Sequence, residues 1–168
     1  MSDMPEDNPQ EGRFPPLAQL VMRGGIYYNV LGNNCKEVML NVIGSLPALS
    51  TQKGEVLLQA VMEREALIST GIENGIALPH PRTPMLNDDE EPFVAIAFPL
   101  QSLDWQTTDG SEVHTIFLVV SKSPKQHLDV LSKINFLCQQ NEFFSLISTQ
   151  APKEEIIASI EKTEKFWR

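Results

Sequence analysis

Two near-continuous apolar runs, Phe93 to Leu100 (FVAIAFPL) and Val113 to Val120 (VHTIFLVV), limit the folds open to this chain more than any other feature. A strand with one face in water alternates apolar and polar residues, whereas a strand covered on both faces has no such need. The two runs therefore predict central strands of a sheet with helices on both sides. Asp109-Gly110 falls in the turn-rich linker between them. A length of 168 residues with 42% hydrophobic composition suits one compact domain with a continuous core, and hence one site.

The flanking segments fit the same architecture. Ile26 to Leu31 (IYYNVL), β-branched and aromatic between Gly24-Gly25 and Gly32, predicts a short strand. Asn33 or Asn34 can cap a following helix that carries Val38, Met39, Val42, Ile43 and Leu46 at helical spacing and ends at Gly44 and Pro47. A second helix is expected from about Thr51 to Ala66, with Val56, Leu57, Ala60, Val61 and Arg64 on or beside one stripe. Ser123-Pro124-Lys125-Gln126 starts another, with Ser as cap, Pro at the first helical position and Gln three residues after the cap. It runs on through Leu128, Leu131, Ile134 and Cys138. A last helix is expected around Pro152 to Lys162, with Glu154 and Glu155 in the first turn, where the helix dipole favours negative charge. Strands and helices alternate throughout, which predicts an α/β fold: a mixed β-sheet sandwiched by α-helices. Residues 1–16, with Pro5, Pro9, Pro15 and Pro16 among acidic and amide residues, predict a flexible N-terminal tail, and residues 17–168 a single domain.

Charge and cysteine usage exclude several functions. The 22 acidic residues outnumber 13 basic ones, giving a net charge of -9, and the Lys and Arg form no stripe or arm, so no nucleic-acid partner is expected. The run Asp88 to Glu91 sits in a Pro-flanked stretch and is expected to be a solvated loop. Cys35 and Cys138 are isolated, without CxxC spacing, and are expected to be buried reduced thiols. No apolar run reaches the roughly 18 to 20 residues a bilayer span needs. The acidic, Pro-rich N-terminus is unlike a secretory signal, so a cytoplasmic protein without direct membrane insertion is expected.

Candidate chemistry centres on the histidines. His80 lies between Pro79 and Pro81; the two rings restrict the backbone on both sides and limit where the imidazole can go. Such restraint suits a nucleophile that must meet a phosphorus in line at about 3 to 3.5 Å. A surface-loop histidine without a role fits the tripeptide equally. His127 follows the Ser123 cap by four residues, in the first turn of its helix, where unpaired N–H groups and the positive dipole end welcome phosphate and disfavour imidazolium. A solvated first-turn histidine is the competing reading. His114 opens the second apolar run, alternates with Ile116, Leu118 and Val120, and reads as structural. The histidines lack metal-ligand spacing, and no metal is expected. Arg64, in Met62-Glu63-Arg64-Glu65, can extend a guanidinium fork toward phosphate or belong to a surface charge pattern. Neither G-x-S-x-G nor G-x-x-x-x-G-K-[ST] occurs, so no hydrolase elbow or nucleotide loop is indicated.

Arg64-Glu65, then Ser69-Thr70-Gly71-Ile72-Glu73-Asn74-Gly75-Ile76-Ala77-Leu78-Pro79-His80, then Gln126-His127-Leu128-Asp129-Val130-Leu131, resemble the enzyme IIA family of the bacterial phosphoenolpyruvate-dependent phosphotransferase system, fructose/mannitol type, which includes nitrogen-related regulatory members. The likeness runs from about Leu17 to Lys162. By that resemblance His80 matches the phosphorylated histidine, His127 the second histidine that supports it, and Arg64 the arginine beside the phosphate. Thr70 and Asn74 match positions lining the same pocket. Many relatives have Gly where this chain has Pro81, and Arg82 then adds a cation that alters partner preference or helps hold the phosphate.

The resemblance implies a protein-histidine phosphotransferase: a phosphocarrier that takes its group from the histidine-containing carrier HPr, or a nitrogen-branch counterpart, without metal or organic cofactor. Two functions follow. A nitrogen-related regulatory enzyme IIA would control a target protein through its phosphorylation state, and a sugar-transport enzyme IIA would pass phosphate to an enzyme IIB for fructose- or mannitol-type uptake. The chain contains no IIB-like cysteine motif and no membrane domain, which tilts the expectation toward regulation.

Overall fold

The structure, a computed structural model, describes residues 14–47 and 49–167. In chain order these form α1 (Leu17–Gly24), β1 (Ile26–Val30), α2 (Cys35–Gly44), α3 (Thr51–Leu67), a 3-10 turn (Glu73–Gly75), β2 (Ile76–Ala77), β3 (Phe93–Pro99), β4 (Thr115–Val120), α4 (Pro124–Cys138), α5 (Asn141–Ser148) and α6 (Lys153–Glu164).

Both apolar runs form strands, β3 and β4, that are buried from end to end, although Leu100, just past β3, is exposed. They pair antiparallel, from Phe93 opposite Val120 to Ala97 opposite Ile116. β1 adds in parallel to β3 and β2 in parallel to β4, so the sheet is mixed, in the order β1-β3-β4-β2. The pleat sends successive side chains to opposite faces. Val94, Ile96, Phe98, Phe117 and Val119 enter one core with residues of α1, α4, α5 and α6, among them Leu20, Ile134, Phe143, Ile147 and Ile156. Phe93, Ala95, Ala97, Ile116, Leu118 and Val120 enter the other, closed by Val38, Met39 and Val42 of α2 and Leu57 and Val61 of α3. Each fully buried large apolar side chain contributes about 1.5–3 kcal/mol, so both faces must be covered before the central strands are stable.

The helix ends follow local chemistry. Asn34 caps α2 by accepting from Glu37 N at 2.9 Å, and the Glu37 carboxylate accepts in return from Asn33 N at 2.6 Å. Ser50 caps α3 through Lys53 N at 3.2 Å. Helix α1 has Pro16 at its cap position and no side-chain cap of its own. The carboxylate of Glu164, at the end of α6, accepts from both Leu17 N and Ala18 N at 2.8 Å. At the other end of α1, Gly24 lies so close to β3 that a Cβ would overlap the Val94 carbonyl.

Several expectations change. Helices α1 and α5 were not read from the sequence. Both are eight residues long, too short to be stable in isolation, and both start without a side-chain cap. Burial of Leu20 and Val21 in α1, and of Phe143 and Ile147 in α5, makes them helical. The run Asp88 to Glu91 is a loop with Asp88, Asp89 and Glu91 exposed, as expected, and it is also held in place: Lys53 meets Glu90 at 3.1 Å, Arg23 meets Glu91 at 3.7 Å, and Lys122 donates to the Asp88 carbonyl at 2.7 Å. Cys35 and Cys138 are free and half-buried, and burial pushes both thiols up to about 12, which keeps them protonated and poorly nucleophilic. Of the expected tail, residues 1–13 lie outside the described residues, while Pro16 accepts from Leu20 N at 3.2 Å and belongs to the start of α1. No helix among the described residues is long and apolar enough to cross a membrane.

Candidate functional site

His80 follows a small hairpin. Ile72 N donates to the Ile76 carbonyl at 2.7 Å and Leu78 N to the Thr70 carbonyl at 3.1 Å. Asn74 (φ 62°) and Gly75 (φ 78°) make the tip. The chain then continues beside β4, with the Pro79 carbonyl accepting from Val119 N at 3.0 Å, which brings His80 to the C-terminal end of β4. Pro79 and Pro81 are buried and His80 is half-buried between them. The His80 Nδ1 lies 2.7 Å from the Leu78 carbonyl oxygen. A carbonyl only accepts, so Nδ1 carries the proton and Nε2 keeps its lone pair. Nε2 is therefore the basic nitrogen of this ring.

His127 is set by the cap of α4. Ser123 Oγ accepts from Gln126 N at 3.1 Å and the Ser123 carbonyl from His127 N at 3.0 Å. The buried Gln126 side chain reaches back to Lys122 N at 2.9 Å, one residue earlier than in the usual reciprocal capping box. The His127 ring stands 4.4 Å from that of His80, centroid to centroid, tilted by 52°.

Arg64 occupies the last turn of α3 and donates to the Ile68 carbonyl at 2.6 Å. Its charge acts on both rings. Burial, then His80, then Arg64 push the His127 imidazole down to about 4. Burial is also the largest influence on His80 and lowers it; the Leu78 carbonyl opposes, Arg64 adds to the lowering, and Glu65 opposes. Both rings are therefore neutral imidazoles at neutral pH. The sequence argument for a neutral His127 rested on the helix dipole, but burial is the larger cause.

The remaining candidates are distributed unevenly. Thr70 is buried, and its hydroxyl and N–H are both held by the Glu65 carboxylate, the latter at 3.1 Å. Asn74 is not brought to the histidine pair: its N–H donates to Asp109 at 3.0 Å and its carbonyl accepts from His114 Nε2 at 3.0 Å. The Gly75 carbonyl pairs with His114 N and the Pro79 carbonyl with Val119 N, so the hairpin tip and His80 are five residue steps apart along the strand edge, about 16 Å. Arg82 is exposed and has no ion pair among the described residues. His114 is structural in its contacts, but not on the face expected. It precedes β4, its Nδ1 pairs with Thr115 Oγ1 at 2.7 Å, and its ring lies edge-on to Phe144 of α5, across the sheet from Ile116 and Leu118. The pleat has not yet begun at residue 114, because Val113 is still engaged in a bridge with Leu103. Glu65 went unrecognised as a neighbour of His80, since only the folded hairpin reveals that its carboxylate reaches Thr70. Leu67, Ile68 and Leu128, beside these residues in the chain, are exposed by 59%, 74% and 68%, so the site opens amid apolar surface.

Residues 25–163 match the family described as the phosphoenolpyruvate-dependent sugar phosphotransferase system, EIIA 2. The chain belongs to this family. EIIA proteins are components of that phosphotransferase system. Relatives of this EIIA domain carry both regulatory and sugar-related names. It is 33% identical over 122 residues to a nitrogen regulatory protein of Pseudomonas aeruginosa, covering 70% of this chain and 77% of that one. To a fructose-like EIIA component of Escherichia coli it is 28% identical over 144 residues, covering 80% and 90%. To a fructose-specific EIIABC component of Mycoplasma pneumoniae it is 40% identical over 91 residues, 53% of this chain but only 12% of that protein. Among solved structures, the nitrogen regulatory protein IIA-Ntr of Neisseria meningitidis shares the fold with a TM-score of 0.72 at 23% identity, covering 85% of this chain and 97% of the other. The IIA-mannitol chain in a complex with phosphorylated IIB-mannitol from Escherichia coli does so with a TM-score of 0.66 at 12% identity, covering 83% and 95%.

Proposed function

We propose that this EIIA domain, spanning residues 17–168, is a cytoplasmic protein-histidine phosphotransferase that accepts a phosphoryl group on His80 Nε2 from a phosphorylated HPr-type carrier or a nitrogen-branch counterpart. The carrying observation is the pair of neutral imidazoles 4.4 Å apart, one with Nδ1 committed to a main-chain carbonyl. The Nε2 lone pair forms the new N–P bond while the donor's N–P bond breaks, and its electron pair returns to the donor imidazole, which leaves neutral. No proton is exchanged, because His80 keeps its Nδ1–H throughout. Arg64 and the first turn of α4 offset charge on the transferred oxygens, and the loose transition state asks for little beyond positioning. His127 stands beside the transferred group as a neutral hydrogen-bond partner, and Arg82 adds a cation at the rim.

We assign the domain a regulatory, nitrogen-related role, in which its phosphorylation state governs binding to a target protein. The 33% identity to a nitrogen regulatory protein over 77% of that protein's length favours this reading. Sugar transport, with phosphate passed to an enzyme IIB, is the second reading and is favoured by the 40% identity to a fructose-specific component over 91 residues.

Incubation with phosphoenolpyruvate, enzyme I and HPr, followed by mass spectrometry, tests the site. One acid-labile phosphate is expected on the wild type and none on His80→Ala; full labelling of that variant would refute the assignment. Addition of candidate IIB proteins to the labelled domain separates the roles, since transport requires rapid loss of label to one of them.

A further inference from the structure

Glu65 lies outside the histidine pair, yet a continuous series of hydrogen bonds runs from its carboxylate to the reactive ring. Its two oxygens accept from the hydroxyl and the N–H of Thr70, the latter at 3.1 Å. The Thr70 carbonyl accepts from Leu78 N at 3.1 Å. The Leu78 carbonyl faces His80 Nδ1 at 2.7 Å and is the group that decides which nitrogen stays basic. Thr70 is 6% exposed and Leu78 5%, so water does not compete readily for the middle of the series. Glu65 also follows Arg64 directly, so the carboxylate that fixes the hairpin fixes the turn of α3 from which the guanidinium projects.

We propose that Glu65 is a positioning residue for phosphoryl acceptance: through Thr70 and Leu78 it holds the His80 ring in the Nδ1–H form, and its negative charge favours the cationic ring that results when Nε2 bonds to phosphorus. The charge requirement follows from the transfer itself, because a ring that gains an N–P bond and keeps Nδ1–H carries a positive charge. The field of Glu65 at His80 has the matching sign, favouring the cationic ring. Arg64 has the opposite sign there and is suited to the phosphoryl oxygens.

This inference rests on phosphoryl acceptance at His80, and the test separates the two. Glu65→Gln keeps the shape and can still bond Thr70, but removes the charge. Long-range nitrogen–proton NMR of the unphosphorylated protein reads the His80 tautomer and its titration, and the label carried at equilibrium with phosphorylated HPr reads the transfer. In Glu65→Gln the His80 titration is expected to move to lower pH, and the equilibrium constant for transfer to fall by about three- to tenfold, the scale of one hydrogen bond or partly exposed charge. Thr70→Val removes the hydroxyl link while the charge stays; the Nδ1–H form is expected to lose population, and Thr70→Ser to restore it. A Glu65→Gln protein with a lower melting temperature but unmoved titration and equilibrium would make Glu65 merely structural and overturn the proposal. Should Glu65→Gln fail to fold, an unchanged tautomer in Thr70→Val would overturn it. A wild type that takes no label at His80, by contrast, defeats the acceptance reading itself, while the NMR arm still reports the coupling of Glu65 to the ring.

Discussion

Two half-buried imidazoles in van der Waals reach of each other, with a guanidinium nearby, resist protonation, and this fixes how the site responds to pH. The unfolded chain's histidines protonate near 6.5, whereas His127 in the folded protein does so only at about 4. Between those values the unfolded state binds the extra proton, so stability is full above about pH 6.5 and declines as the pH falls toward 4. Thermal melts across this window are expected to show that loss, and His127→Gln to lessen it, His80 being lowered by burial as well. Exchange of phosphate with the donor is expected to slow in His127→Ala while the far-ultraviolet spectrum stays native; unchanged exchange would remove His127 from the mechanism. At this scale the sequence was informative where a residue's own neighbours constrain it. Prolines on both sides single out His80, and the Ser-Pro-x-Gln cap places His127 on its first turn. It was uninformative where the constraint comes from afar: nothing local says that Asn74 turns its backbone toward Asp109 and His114.

Caps decide the elements that carry the site. Ser123→Ala removes the bond to Gln126 N and is expected to cost about 1 kcal/mol; because the same turn orients His127, the rate of phosphate exchange should fall along with the urea midpoint. Helix α1 presents a different case, since its first two N–H groups depend on Glu164 from α6. Glu164→Ala is expected to cost about 1–2 kcal/mol in urea unfolding, the range for a lost cap, with site chemistry unaltered. That clasp also explains why α1 was illegible. Its N-terminal partner lies at the other end of the sequence, and its own cap position holds only a proline. Helix α5 was hidden in a similar way: its case for helicity is Phe143 and Ile147 against the sheet-side core, not any signal at Gln139 or Gln140. By contrast β3 and β4 declared themselves, because burial on both faces leaves a mark in consecutive residues that no later packing can disguise.

Over the whole molecule, two cores share one sheet and meet only through its backbone. Leu57 belongs to the α2–α3 side and Ile134 to the side of α1, α4, α5 and α6. Leu57→Ala is expected to cost about 2–5 kcal/mol and Ile134→Val about 0.5–1.5; with no shared neighbours the pair should add to within about 0.5 kcal/mol. Unfolding should nevertheless remain a single transition, because neither core exists without the strands they hold in common. The site is drawn from both sides of that sheet: Arg64 from α3, His127 from α4, and His80 from the strand end between them. A nascent or damaged copy with either layer open thus brings no such trio together. Under the proposed chemistry, only finished molecules would take charge from the donor, and the phosphate mark would double as a certificate of correct assembly.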